Sequence, residues 1–66
     1  MYDTQKIGKR LVKLRGDRSQ EAIARELKIS YSALRKYESG DRIPRDEIKI
    51  KIAKFYGKTV QEIFFS

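Results

Sequence analysis

The chain has no cysteine, no histidine, a single proline and no long apolar run. Without cysteine there is no disulfide framework, and without cysteine or histidine there is no ordinary structural zinc site. The same absences remove the usual thiol and imidazole nucleophile–base pairs. No phosphate loop replaces them, because Gly8-Lys9-Arg10 and Gly57-Lys58-Thr59 lack the upstream glycine that a P-loop requires. The acids Asp17, Glu21, Glu26 and Glu47 show no spacing of a paired acid–base site and read as helix-end and surface charges. The residues point away from an enzyme and call for no metal, no cofactor and no small-molecule ligand. Nothing is long enough to span a bilayer, and MYDTQKIGKR has no hydrophobic segment followed by a cleavage site. A soluble, cytoplasmic protein is the expectation, and the lack of cysteine fits a reducing compartment.

What is present is positive charge and helical periodicity. Sixteen Lys and Arg stand against nine Asp and Glu, a net +7 in 66 residues. Such an excess selects polyanionic partners, DNA before RNA and RNA before an anionic membrane surface. RNA is disfavoured because no aromatic platform for unstacked bases is visible. A membrane-surface helix is disfavoured because the apolar positions beside Lys49, Lys51 and Lys54 are needed for the core. The length makes one domain, residues 1–66, near the lower limit for a chain folding on its own core. A domain this small and unstapled relies on regular helix packing or on dimerisation.

Five short helices are expected, an all-α bundle. Asp3 or Thr4 caps the first, which runs to about Arg15 with Ile7, Leu11 and Leu14 as its core stripe. Gly16-Asp17-Arg18 connects it to a second helix, capped by Ser19 and running from Gln20 to about Leu27, with Ile23, Ala24 and Leu27 inward. Ser30 caps a third, Tyr31 to Glu38, with Ala33, Leu34 and Tyr37 inward, and Ser39-Gly40 ends it. Pro44 blocks helix continuation through the loop that follows. The stretch EIKIKIAKFY is ambiguous, since Ile48, Ile50 and Ile52 alternate with lysine as in a half-buried strand. Asp46 and Glu47 at its start, Lys54 near its end, Gly57 beyond it and the want of a pairing strand favour a fourth helix over about 46–56. Thr59-Val60-Gln61-Glu62 is a capping box that opens a last short helix over 60–65.

Residues 19–45 carry the functional signal. Two short amphipathic helices meet at a tight turn, and the second is lined with cationic and hydroxyl groups, as a helix-turn-helix DNA binder requires. The order of Ser19-Gln20, Ile23-Ala24, Leu27, Ile29-Ser30, Leu34, Glu38, Gly40, Pro44 and Ala53 resembles the phage repressor/Cro helix-turn-helix family, also called XRE. The resemblance extends from Ile7 to Phe64 and rests on spaced positions rather than one short pattern. It implies a compact, lambda-repressor-like fold of five helices, with the third helix in the major groove of double-stranded DNA. The groove-facing residues it implies are Tyr31, Ser32, Arg35 and Lys36. Helical spacing independently puts these four on the side opposite Leu34. Arg35 can grip guanine O6 and N7, Lys36 can reach the same acceptors, Ser32 donates or accepts, and Tyr31 offers a hydroxyl and a flat face for a thymine methyl.

Backbone phosphates are assigned to Ser19 and Gln20 at the start of the second helix, to Lys28 in the turn, and to Arg42 and Arg45 flanking the loop after the third helix. In related proteins an arginine late in the first helix meets the acid closing the third in a mostly buried ion pair. The resemblance places Arg15 and Glu38 there, in a structural role. Three departures from the family pattern stand out: Lys28 where glycine is common, a first connection about two residues short, and Asp46 at a usually apolar position, where it is a candidate cap for the fourth helix. The aromatic C-terminal segment suggests one ring in the core and the other in a homodimer interface, which would use Phe64 or Phe65 with Ile63 and Val60; both rings in the monomer core is the alternative. The expected function is sequence-specific transcriptional regulation, most simply repression from a near-palindromic operator. The rival is an adaptor or antitoxin-type module whose main partner is another protein.

Overall fold

Asp3 Oδ1 accepts the Lys6 N–H at 3.1 Å and opens α1 (Thr4–Arg15). Ser19 Oγ does the same for Ala22 N–H at 3.0 Å at the start of α2 (Gln20–Leu27), and Ser30 Oγ for Ala33 N–H at 2.9 Å at the start of α3 (Tyr31–Ser39). Each cap satisfies one of the amides that a helix leaves without an intrahelical partner. The fourth helix, α4 (Asp46–Tyr56), differs from the sequence expectation at its start. Its cap position is Arg45, which makes no side-chain cap, and Asp46 is the first helical residue. Asp46 still meets the positive end of the helix dipole and lies 3.5 Å from Lys49 Nζ. This computed structural model describes residues 3–65, and among them it contains no strand.

The helix ends follow local chemistry too. Gly40 ends α3 in the left-handed region at φ 86°, where its N–H is directed to the Lys36 and Tyr37 carbonyls. Lys28 ends α2 in the same region, at φ 58° and ψ 42°, the one described non-glycine residue with positive φ. In the capping box, Thr59 N–H donates to Glu62 Oε1 at 2.9 Å and Glu62 N–H to Thr59 Oγ1 at 3.0 Å. Those bonds hold the Glu62 carboxyl below the usual carboxylate range, the contact from the Thr59 amide contributing most. The turn that follows, Gln61–Phe65, has π rather than α pitch.

All four helices and the last turn contribute to one core. Ile7 and Leu11, Ile23 and Leu27, Leu34, and Ile52 are almost wholly buried, and Ile63 and Phe64 join them. The alternating stretch resolves as a helix that hides Ile52, half-buries Ile48 four residues earlier, and leaves Ile50 half exposed. Lys49 is buried, with its ammonium 5.3 Å from the Phe65 ring centre and 6.0 Å from that of Phe64. Of the two terminal rings Phe64 lies in the core and Phe65 is 53 % exposed; Ile63 is buried as well and offers no surface for the expected dimer contact, and Val60 is half-buried.

The crossing of α1 and α3 sets how the third helix sits. At Gly8 a Cβ would fall on top of the Glu38 carbonyl oxygen, so only glycine allows the two backbones this approach. Arg10 Nη1 donates to the Ile63 carbonyl at 2.8 Å and ties α1 to the last turn.

Candidate nucleic-acid interface

Helix α3 has two chemically distinct sides. Leu34, Tyr37 and Glu38 are buried, while Tyr31, Ser32, Arg35 and Lys36 are all exposed. At about 100° per residue, positions 31, 32, 35 and 36 fall on one outward strip. The four residues named from the sequence therefore share a free face.

The inner side is pinned by a polar cluster. Arg15 Nε donates to Glu38 Oε2 at 2.9 Å and to Oε1 at 3.2 Å, from α1 to α3. Gln20 Nε2 donates to Glu38 Oε1 at 2.8 Å, from α2 to α3. The Glu38 side chain is 3 % exposed and that of Arg15 is 18 % exposed. The hydrogen bond to Glu38 raises the Arg15 guanidinium above its ordinary value, against the opposing effect of burial. Arg15 Nη1 also donates to the Arg18 carbonyl at 2.8 Å, and Arg18 closes α1 through the Arg15 and Leu14 carbonyls at 3.0 and 2.9 Å. The Arg18 guanidinium carbon is 5.6 Å from the Tyr56 ring centre and 5.8 Å from that of Phe55. Burial pushes the Tyr56 phenol above its ordinary value, the Glu38 charge adds to the shift, and Arg18 and Arg15 oppose it. Its hydroxyl is buried with no hydrogen-bond partner among the described residues. Because the cluster joins α1, α2 and α3 through one carboxylate, it fixes the rotation and depth of α3 on the scaffold.

A groove beside α3 brings the two sides together. Ser32, Arg35 and Lys36 line it together with Arg15, Gln20 and Glu38 of the cluster, and Val12 and Asp41 line it too. Three of the four reading candidates thus converge with the start of α2. Tyr31 stands beside the groove, its ring centre 5.5 Å from the Arg35 guanidinium carbon. The other cations are not gathered there. Lys28 is exposed in the turn between α2 and α3, and Arg42 and Arg45 are exposed in the segment between α3 and α4. Ser19 is exposed, with its hydroxyl engaged in capping α2.

Several participants escape sequence reasoning. The sequence points Gln20 at phosphate, yet one of its amide hydrogens is directed to Glu38, which leaves the other and its oxygen free to meet a ligand. A residue 18 positions away has no periodic signature that would reveal such a bond. Gly8 draws attention in the sequence only as a failed phosphate loop, whereas here it permits the α1–α3 approach. Val12, 43 % exposed on a helix with its own core stripe, was available from the pattern as an apolar residue off the stripe. Arg18 reads as a loop residue until its contacts with Phe55 and Tyr56 join the α1–α2 connection to the end of α4.

A helix-turn-helix family model matches residues 9–63, from the middle of α1 into the final turn. The chain belongs to the Cro/repressor-type helix-turn-helix family. No curated protein and no solved structure matches it. As an XRE-type helix-turn-helix protein it is a DNA-binding transcription regulator, and the family is a regulatory one rather than an enzyme family. Its helix-turn-helix comprises α2 and α3, and its partner is double-stranded DNA. No helix among the described residues is long and apolar enough to cross a membrane.

Proposed function

We propose that the protein represses transcription by occupying a near-palindromic operator as a homodimer, with α3 of each subunit in the major groove. The exposed strip of Tyr31, Ser32, Arg35 and Lys36, backed by the Arg15–Glu38–Gln20 cluster, carries this reading. Arg35 and Lys36 address guanine, Ser32 reads either a donor or an acceptor, and Tyr31 addresses thymine. Phosphates are held by the open first-turn amides of α2, by Ser19 and Gln20, and by Lys28, Arg42 and Arg45. The subunit measures 29 × 22 × 21 Å, less than the ~34 Å between half-sites one helical turn apart. Reading both half-sites therefore takes two copies of α3. With Ile63 and Phe64 buried, the dimer contact falls to Phe65 and Val60.

Selection of bound duplexes from a random pool, at two salt concentrations and against Arg35→Ala, tests the reading. An inverted repeat that Arg35→Ala relaxes at one base pair per half-site supports it. Recovery of no motif, with binding lost at higher salt, leaves only the phosphate contribution and gives the lead to an adaptor that binds another protein. Sedimentation of the protein and of Phe65→Glu tests the assembly: a wild-type chain that stays monomeric at high micromolar concentration refutes the dimer.

A further inference from the structure

Arg35 differs from the arginines of the polar cluster in how it is held. Arg15 and Arg18 direct guanidinium N–H groups to a carboxylate and to backbone carbonyls. Arg35 makes no hydrogen bond among the described residues, and its contact is with the ring of Tyr31, 5.5 Å away and one helical turn earlier. A cation over an aromatic ring is attracted by the ring's π face within about 6 Å, and that attraction uses none of the five guanidinium donors. Tyr31 itself is 45 % exposed and contributes nothing to the core cluster. A half-exposed aromatic ring on the outward face of α3, with an arginine over it, is not accounted for by the core.

We infer that Tyr31 is a positioning residue for Arg35. Its ring holds the guanidinium at the groove before DNA arrives and so makes Arg35 a stronger discriminator for guanine. An exposed arginine loses much rotamer freedom when a base edge fixes it, and a side chain already restrained by a ring loses less. The stack covers part of the ring, leaving the Tyr31 hydroxyl and remaining surface for its own base contact. This inference rests on the base-reading role proposed for α3.

The test has one part without DNA and one with it. In the free protein, NMR reads the ring-current shift of the Arg35 side-chain protons and the mobility of its Nε–H, in wild type, Tyr31→Phe and Tyr31→Ala. The upfield shift and restricted motion should persist in Tyr31→Phe and vanish in Tyr31→Ala, with thermal unfolding unchanged. On the selected operator, Tyr31→Ala should weaken the preference for guanine at the pair that Arg35→Ala relaxes, by about two- to five-fold, while Tyr31→Phe retains it. In an Arg35→Ala background, Tyr31→Ala should cause no further loss at that pair. A full loss there, or an unshifted and freely mobile Arg35 in wild type, overturns the positioning role while leaving base reading intact. If Arg35→Ala relaxes no base pair, base reading by Arg35 fails instead, and the NMR part still shows whether the stack exists.

Discussion

Lys28→Gly separates the two roles of the turn, because it should stabilise the fold and weaken DNA binding together. Lys28 holds φ 58° and ψ 42°, and its N–H is directed to the Ala24 and Arg25 carbonyls. An L-residue in the left-handed region costs about 1–2 kcal/mol through crowding of Cβ against the following carbonyl. Glycine escapes that cost but gives the unfolded chain more freedom, an opposing effect of about 0.4–1 kcal/mol. The net gain is about 0.5–1 kcal/mol, which in a domain of this size raises Tm by about 2–8 °C. Lys28→Ala keeps the backbone strain and loses the charge, so its Tm should stay below that of Lys28→Gly. Both variants should lose one phosphate contact per subunit, and the slope of log K against log salt should become shallower by about 0.9 per subunit, about 1.8 for the dimer. Thermal unfolding followed by circular dichroism, with fluorescence anisotropy across a salt series, reads both effects. A Lys28→Gly protein that melts no higher than Lys28→Ala refutes the strain argument, and an unchanged salt slope refutes the phosphate contact.

Three further outcomes follow from the cluster and the crossing behind α3. Glu38→Ala leaves Arg15 and the Gln20 amide without their shared acceptor and should cost about 3 kcal/mol in chemical denaturation, the low end for a broken buried pair because Arg15 still reaches water. Gly8→Ala forces a methyl onto the Glu38 carbonyl oxygen and should cost about 1–3 kcal/mol or more, with operator affinity falling further than stability alone explains, since α3 must shift; unchanged stability refutes the close crossing. Tyr56 holds its phenolic proton more tightly folded than unfolded, so its contribution is complete below about pH 10 and is lost as the pH rises through its raised folded value. Tyr56→Phe should flatten that alkaline loss relative to wild type and leave neutral-pH stability equal or higher, because the buried hydroxyl has no partner among the described residues; an equally steep loss in the variant assigns the titration elsewhere.

Elements governed by neighbours three to five residues apart were legible in the sequence alone. The caps at Asp3, Ser19 and Ser30, the glycine ends at Gly40 and Gly57, and the Thr59–Glu62 box all form within one helical turn. The outward strip of α3 was legible for the same reason, since helical period alone separates Tyr31, Ser32, Arg35 and Lys36 from Leu34. Period also names a face without naming what lies against it. Whether Phe64 or Phe65 would be buried, whether Lys49 would meet water or two aromatic rings, and where the Gln20 amide would point depend on how elements far apart in sequence are brought together. Asp46 shows the limit within local reasoning: its charge suits a helix start, but the neighbouring Arg45 takes the cap position. Gly8 shows it most clearly, because a missing Cβ records nothing about its reason until the Glu38 carbonyl is found above it. The chain's own order thus determined the helices and the exposed polar face of α3 that is proposed to read DNA. Only the packing of α1 on α3, and of both on the last turn, decided how that face is held, because close contact and burial belong to pairs of elements.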